Sequence, residues 1–118
     1  MPQHDERFTV GQMIDYAREA VQFSDGRSVG DLRTDRMFNL SMARLLEVIG
    51  EAATRLSPEL RERHPLVPWG DIIGLRNRLI HAYDALDEIV IWRTLREDLP
   101  ELIPQLQAIL DELAAADS

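Results

Sequence analysis

The chain has 118 residues, which suits one domain with a modest core and leaves no room for a second. Apolar residues make up 45%, too many for a disordered chain, and the absence of cysteine excludes disulfides and thiolate metal sites. The net charge of -8 argues against a general nucleic-acid binder, because repulsion from phosphate dominates at long range.

The charge is unevenly spread. Residues 97–118 hold six acids and no arginine, so most of the excess lies at the C-terminal end and a phosphate ligand can approach elsewhere. All 13 basic residues are Arg, and each can form a bidentate fork with phosphate or carboxylate. No apolar run approaches the roughly 20 residues that span a bilayer. The segment from Met1 to Arg7 is polar and lacks the apolar centre of a signal peptide, so no membrane association and a cytoplasmic location are expected.

The pattern reads as helix throughout. A first helix is expected from about Glu6 to Phe23, ending at the turn-forming Ser24-Asp25-Gly26, with a loop to Thr34. Phe38, Met42, Leu45, Ile49, Ala52 and Leu56 then alternate spacings of four and three, the stripe of a second helix capped by Thr34 or Asp35. Ser57 followed by Pro58 opens a short third helix. His64-Pro65-Leu66-Val67-Pro68 breaks the chain, and a fourth helix follows from Trp69 to about His81, with Ile72, Leu75 and Leu79 apolar. Asp87 can cap a fifth, and Pro100 can start the last. The expected fold is all-α: one domain, 1–118, an antiparallel bundle of four main helices plus short ones.

The segment Arg76-Asn77-Arg78-Leu79-Ile80-His81-Ala82-Tyr83 concentrates two guanidinium groups, an amide, an imidazole and a phenol. At about 100° per residue, Asn77, His81 and Arg78 share the face turned from the apolar stripe, and Tyr83 falls on the side of Arg76 if the helix continues that far. Histidine can move protons near neutral pH, and a guanidinium can neutralise charge that builds on a phosphate. Such a pair suits metal-free cleavage of RNA with the 2′-hydroxyl as nucleophile. Arg76 and His81 lie about 140° apart on an ideal helix. They can converge if the helix distorts near His81, or if two copies pool their groups across a two-fold axis.

Other residues attract structural readings. Glu51 is expected to pair with Arg44 or Arg55, Gly50 to allow close helix packing, and Trp69 and Trp92 to anchor core or interface. His4, His64 and His81 lack ligand-like spacing, so neither a metal nor any other cofactor is expected.

Several motifs in order carry a resemblance. They are the run from Arg44 to Ala53 (Arg-Leu-Leu-Glu-Val-Ile-Gly-Glu-Ala-Ala), His64-Pro65 with Pro68-Trp69, Arg76-Asn77 through His81-Ala82-Tyr83, Ile91-Trp92, and Asp98-Leu99-Pro100. With these the chain resembles the HepT-like toxins of the HEPN superfamily over nearly its whole length. The resemblance implies an all-α homodimer and a metal-independent endoribonuclease, the toxin of a type VII-like toxin–antitoxin pair. It puts the Arg-x-x-x-x-His motif on Arg76 and His81 as catalytic residues. It makes Tyr83 the position that a partner antitoxin, a minimal nucleotidyltransferase of the MntA type, modifies with AMP. Asn77 and Arg78 are expected to assist in binding RNA. Asp84, directly after the tyrosine, departs from the apolar or aromatic residue expected there and adds negative charge. The alternative is a non-catalytic HEPN-like helical module that binds a nucleotide or a partner protein in the same groove.

Overall fold

The computed structural model describes residues 5–81 and 87–116, and every regular element among them is helical. Helix α1 (Glu6–Ser24) begins where the Asp5 carboxylate accepts the Arg7 N–H at 3.0 Å. It ends just before Gly26, whose φ of 74° lies in the left-handed region that glycine adopts without strain.

The following stretch, expected to be loop, holds a one-turn helix, α2 (Asp31–Thr34). Arg27 organises it. The guanidinium donates to Asp31 at 3.2 Å and to Asp35 at 2.7 Å, and it lies 4.1 Å from the centroid of the Phe38 ring. Asp35 also accepts the Phe38 N–H at 3.1 Å and so caps α3 (Arg36–Arg55), which selects it over Thr34.

The Phe38 N–H and, next, the Arg27 guanidinium hold the Asp35 carboxyl below its ordinary range. A depressed folded-state pKa stabilises the fold above the unfolded value of about 3.9, and that stabilisation is lost as pH falls through the folded value. Asp35→Ala is therefore expected to lower Tm at neutral pH, with a deficit that shrinks below about pH 4. Thermal unfolding followed by circular dichroism from neutral to strongly acidic pH measures this. A deficit independent of pH would contradict the assignment.

Ser57 accepts the Leu60 N–H at 3.1 Å and opens α4 (Pro58–Arg63), with Pro58 in the first turn where no N–H is needed. The 64–68 break leads into α5 (Trp69–His81), whose bounds match the sequence expectation. The Trp69 indole N–H donates to the His64 carbonyl at 3.0 Å and seals this corner. Asp87 accepts the Ile89 N–H at 2.8 Å and caps α6 (Glu88–Arg93).

The last helix, expected to start at Pro100, starts one residue earlier and without a break from α6. A π-helical turn, Thr94–Asp98, joins α6 to α7 (Leu99–Ala116). The Leu99 N–H reaches back to the Thr94 carbonyl, five residues earlier. Ile91, Leu95 and Leu99 are all buried and spaced by four. In a plain α-helix such a series drifts by about 40° at each step, and a wider turn removes the drift. Pro100 is the second residue of α7, directly after the widened turn.

The long helices pack in the order α7, α1, α3, α5. Val10, Met13 and Ala17 of α1, Met42, Leu46 and Ile49 of α3, and Leu102, Leu106 and Ile109 of α7 fill the core. Because α3 is flanked on both sides, its buried stripe is wider than the expected one: Leu46 and Ala53 are buried, and Leu45 is half-buried. No helix among the described residues is long and apolar enough to cross a membrane.

Candidate functional site

The motif helix α5 packs mainly on α3. Ile72, Arg76 and Leu79, spaced four and three, form the stripe that meets it, so Arg76 occupies a place usual for an apolar residue. The contact is possible because α3 presents Gly50 there. A Cβ added at Gly50 would overlap the Cβ of Arg76, approach its Cγ to 2.9 Å and the Ile72 carbonyl oxygen to 3.0 Å. The aliphatic stem of Arg76 is thus clamped at the helix crossing.

Beyond the stem, the guanidinium is oriented but not neutralised. Its Nη1 donates to the Asn77 Oδ1 at 2.9 Å, and its Nε is buried without a hydrogen-bond partner. No described carboxylate forms an ion pair with it, although acids outnumber arginines in the chain by 21 to 13. The unsatisfied Nε is costly to the fold, and the charge of the guanidinium is left without a described carboxylate partner.

His81 is the last residue of α5 and is exposed. The helix is unbroken from Arg76 as far as His81, so within one chain the two keep the angular separation of a regular helix. Asn77 and Arg78 are exposed on the side away from the buried Leu79, as their spacing predicts. They divide, however: Asn77 is committed to Arg76, whereas Arg78 lines a groove on the far flank of α5. Tyr83 and Asp84 lie outside the described residues, as does His4.

That groove, of about 540 Å³, separates α5 from α6, the π turn and α7. Leu46 and Ile49 of α3 form its floor, with Leu75 on one wall and Leu99 and Leu102 on the other. Its rim carries Asp71, Asp98 and Glu101 as well as Arg78.

Of the two partners expected for Glu51, Arg44 is the one that pairs with it, at 3.9 Å, while bonding Glu47 more closely at 2.8 Å; Arg55 turns to Gln12 at 3.5 Å. His64 faces Glu112 at 3.5 Å, linking the 64–68 break to α7. Among the described residues no three His, Asp or Glu side chains gather as metal ligands. Sequence reasoning did not connect Gly50 with Arg76. The signal was available only as a glycine inside a strong helical stripe, where the usual cost of about 1 kcal/mol calls for a reason.

The chain compares with known proteins over most of its length. It is 40% identical over 87 residues to a candidate RNase of Caldanaerobacter subterraneus subsp. tengcongensis, covering 74% of this chain and 78% of that one. It is 38% identical over 72 residues to a candidate ribonuclease HepT of Thermococcus cleftensis, covering 61% and 66%. It is 29% identical over 109 residues to a candidate RNase of Methanocaldococcus jannaschii, covering 92% and 100%. No solved structure matches. The family model for ribonuclease HepT-like proteins matches residues 13–109, a span that takes in the Gly50 crossing and the whole of α5. With its all-helical fold and that match, the chain belongs to the HepT-like ribonuclease family.

Proposed function

We propose that the protein is a metal-independent endoribonuclease in which Arg76 and His81 act on one phosphodiester. Membership of a ribonuclease family supports cleavage of RNA. The observation that carries the assignment of roles is the Arg76 guanidinium, clamped by Gly50, oriented by Asn77 and left without a carboxylate partner among the described residues.

In the proposed reaction the 2′-oxygen forms a bond to phosphorus and the bond from phosphorus to the 5′-oxygen breaks. The 2′-hydroxyl loses a proton and the departing 5′-oxygen gains one. His81 serves one end of that transfer as general base or acid. Arg76 holds the phosphate and offsets the charge that accumulates on its oxygens. Asn77 fixes the guanidinium, and Arg78 supplies a further phosphate contact. The regular helix from Arg76 to His81 favours a site shared by two copies of the chain, because one copy keeps the two groups on different sides of α5.

The reading includes a biological setting: a cytoplasmic toxin whose partner is a minimal nucleotidyltransferase that adds AMP to Tyr83. An added nucleotide brings a phosphodiester charge close to Arg76 and a purine that blocks the site, so inhibition needs no change of fold. Co-expression with a cognate nucleotidyltransferase is expected to add one or more AMP units to Tyr83, and Tyr83→Phe is expected to escape modification. Intact-mass measurement and peptide mapping decide this. An inactive complex with unmodified Tyr83 would instead mean neutralisation by binding.

The mechanism itself is tested by incubating purified protein with single-stranded RNA in EDTA. Cleavage is expected to persist and to leave a 2′,3′-cyclic phosphate or its hydrolysis product. Loss of cleavage in EDTA that a divalent ion restores would refute metal independence. RNA or nucleotide binding with no cleavage under any condition would favour a non-catalytic module.

A further inference from the structure

The groove on the other flank of α5 adjoins the Arg76 crossing and shares only Arg78 with the reaction above. Its floor is apolar, and its rim carries charge that the fold does not satisfy. Asp71 of α5, Asp98 of the π turn and Glu101 of α7 form no ion pair or hydrogen bond among the described residues. Arg78 shares the rim and pairs with none of them. The Asp98 carboxyl is pushed above its ordinary range by burial and then by Glu97 and Glu101, against a smaller opposing pull from Arg93.

We propose that this groove is the docking site for a cationic amphipathic helix of a partner protein. Both walls are helical and about two turns long, from Asp71 to Arg78 on one side and from Asp98 to Gln105 on the other. At 1.5 Å per residue each wall extends about 10 Å, the scale on which a docked helix places apolar anchors at i, i+3, i+4 and i+7. A volume of about 540 Å³ holds several such side chains. Lysines or arginines flanking the stripe would meet the three carboxylates, and one acidic residue would meet Arg78, which fixes the direction of the helix.

Charge decides against the other occupants. A second copy docking by the same face brings three carboxylates and one arginine against the same set, a net like-charge contact. RNA brings phosphates to the same acidic rim. An uncharged apolar helix would fill the floor but bury the rim carboxylates without partners, which is costly. The test does not depend on RNA cleavage, since it leaves Arg78, the one groove residue also assigned a phosphate contact, unchanged.

The test is a random peptide library selected on the native full-length protein, with recovered peptides synthesised and titrated. Recovered peptides are expected to carry net positive charge and apolar residues at helical spacing. They should bind Asp71→Arg/Asp98→Arg protein at least about tenfold more weakly than native. Asp15→Arg/Glu19→Arg, which makes the same charge change on exposed residues of α1, should leave binding within about twofold. If the arginine pair misfolds by circular dichroism, Asp71→Asn/Asp98→Asn replaces it and should still weaken binding. Failure to enrich any peptide, recovery of neutral or acidic peptides, or equal loss in the α1 control would each overturn the proposal. So would a native oligomer that becomes monomeric in the groove variant, which would give the face to a second copy.

Discussion

His81→Ala is expected to lower RNA cleavage by about 10²–10⁴-fold, the usual worth of a positioned general acid or base. Arg76→Ala should lower it by at least about 10²–10³-fold, comparable to the loss of one charge-stabilising donor. The folded state should survive the first change unaltered, because His81 is exposed at the end of α5 and makes no hydrogen bond or ion pair among the described residues. Arg76→Ala removes a partly buried group whose Nε lacks a partner, so it also relieves an unsatisfied donor. Its effect on Tm should therefore be small relative to its effect on cleavage. Initial rates on a defined RNA, with circular dichroism as the folding control, separate the two quantities. Native-like cleavage by either variant would remove that residue from the mechanism. Mixing the two inactive variants adds a further readout. If each site takes Arg76 from one copy and His81 from the other, hybrid dimers regain part of the activity. If each chain assembles its own site, the mixture stays inactive.

Gly50→Ala is expected to destabilise the protein by about 2–3 kcal/mol, the upper part of the roughly 1–3 kcal/mol range of overpacking in a close-packed core. At this chain length that corresponds to a fall in Tm of roughly 10 °C. The sign is informative, because propensity alone predicts the opposite: alanine inside a helix is favoured over glycine by about 1 kcal/mol. Here the new methyl would meet the Arg76 Cβ, which is fixed to the backbone of α5 and cannot rotate away. The strain must be relieved by moving α5 off α3, and the guanidinium moves with it. The folded fraction of Gly50→Ala should consequently cleave RNA more slowly than native protein. Thermal unfolding and rates corrected for the folded fraction test both parts. A Tm equal to or above native would show that the crossing is looser than the structure places it.

The sequence disclosed α5 well, because two prolines and a turn precede Trp69 and because Ile72, Leu75 and Leu79 keep helical spacing to its end. Asp35, Ser57 and Asp87 were legible as caps for a similar reason: each is a short acceptor side chain directly before an apolar periodic run. Two features were not legible. Helix α2 spans only four residues, too few to display a period, and it exists because Arg27 ties Asp31 to Asp35. The place of Arg76 depends on a partner helix that a helical wheel does not include. On the wheel it borders the apolar stripe, and only the bare backbone at Gly50 draws it inside. Arg78 shows the same limit, since the wheel groups it with Asn77 whereas the groove separates them.

The π turn between Arg93 and Leu99 carries a consequence for chain length. Its wider loop holds one residue more than an α-helical path between the same end points would need. Deleting a single residue from 94–98 can therefore leave a continuous α-helix, with no gap in the backbone and no lost turn. The residues beyond the turn would keep their places, so Leu102, Leu106 and Ile109 would still face α1. Within α7 no residue is spare. A deletion between Leu102 and Leu106 would rotate Leu106 and Ile109 by about 100°, the angular step of one helical residue, and turn part of the apolar stripe toward water. Family members that lack the extra residue of the turn should thus keep the same apolar spacing in their last helix, and a deletion at 94–98 should be tolerated where one inside α7 is not.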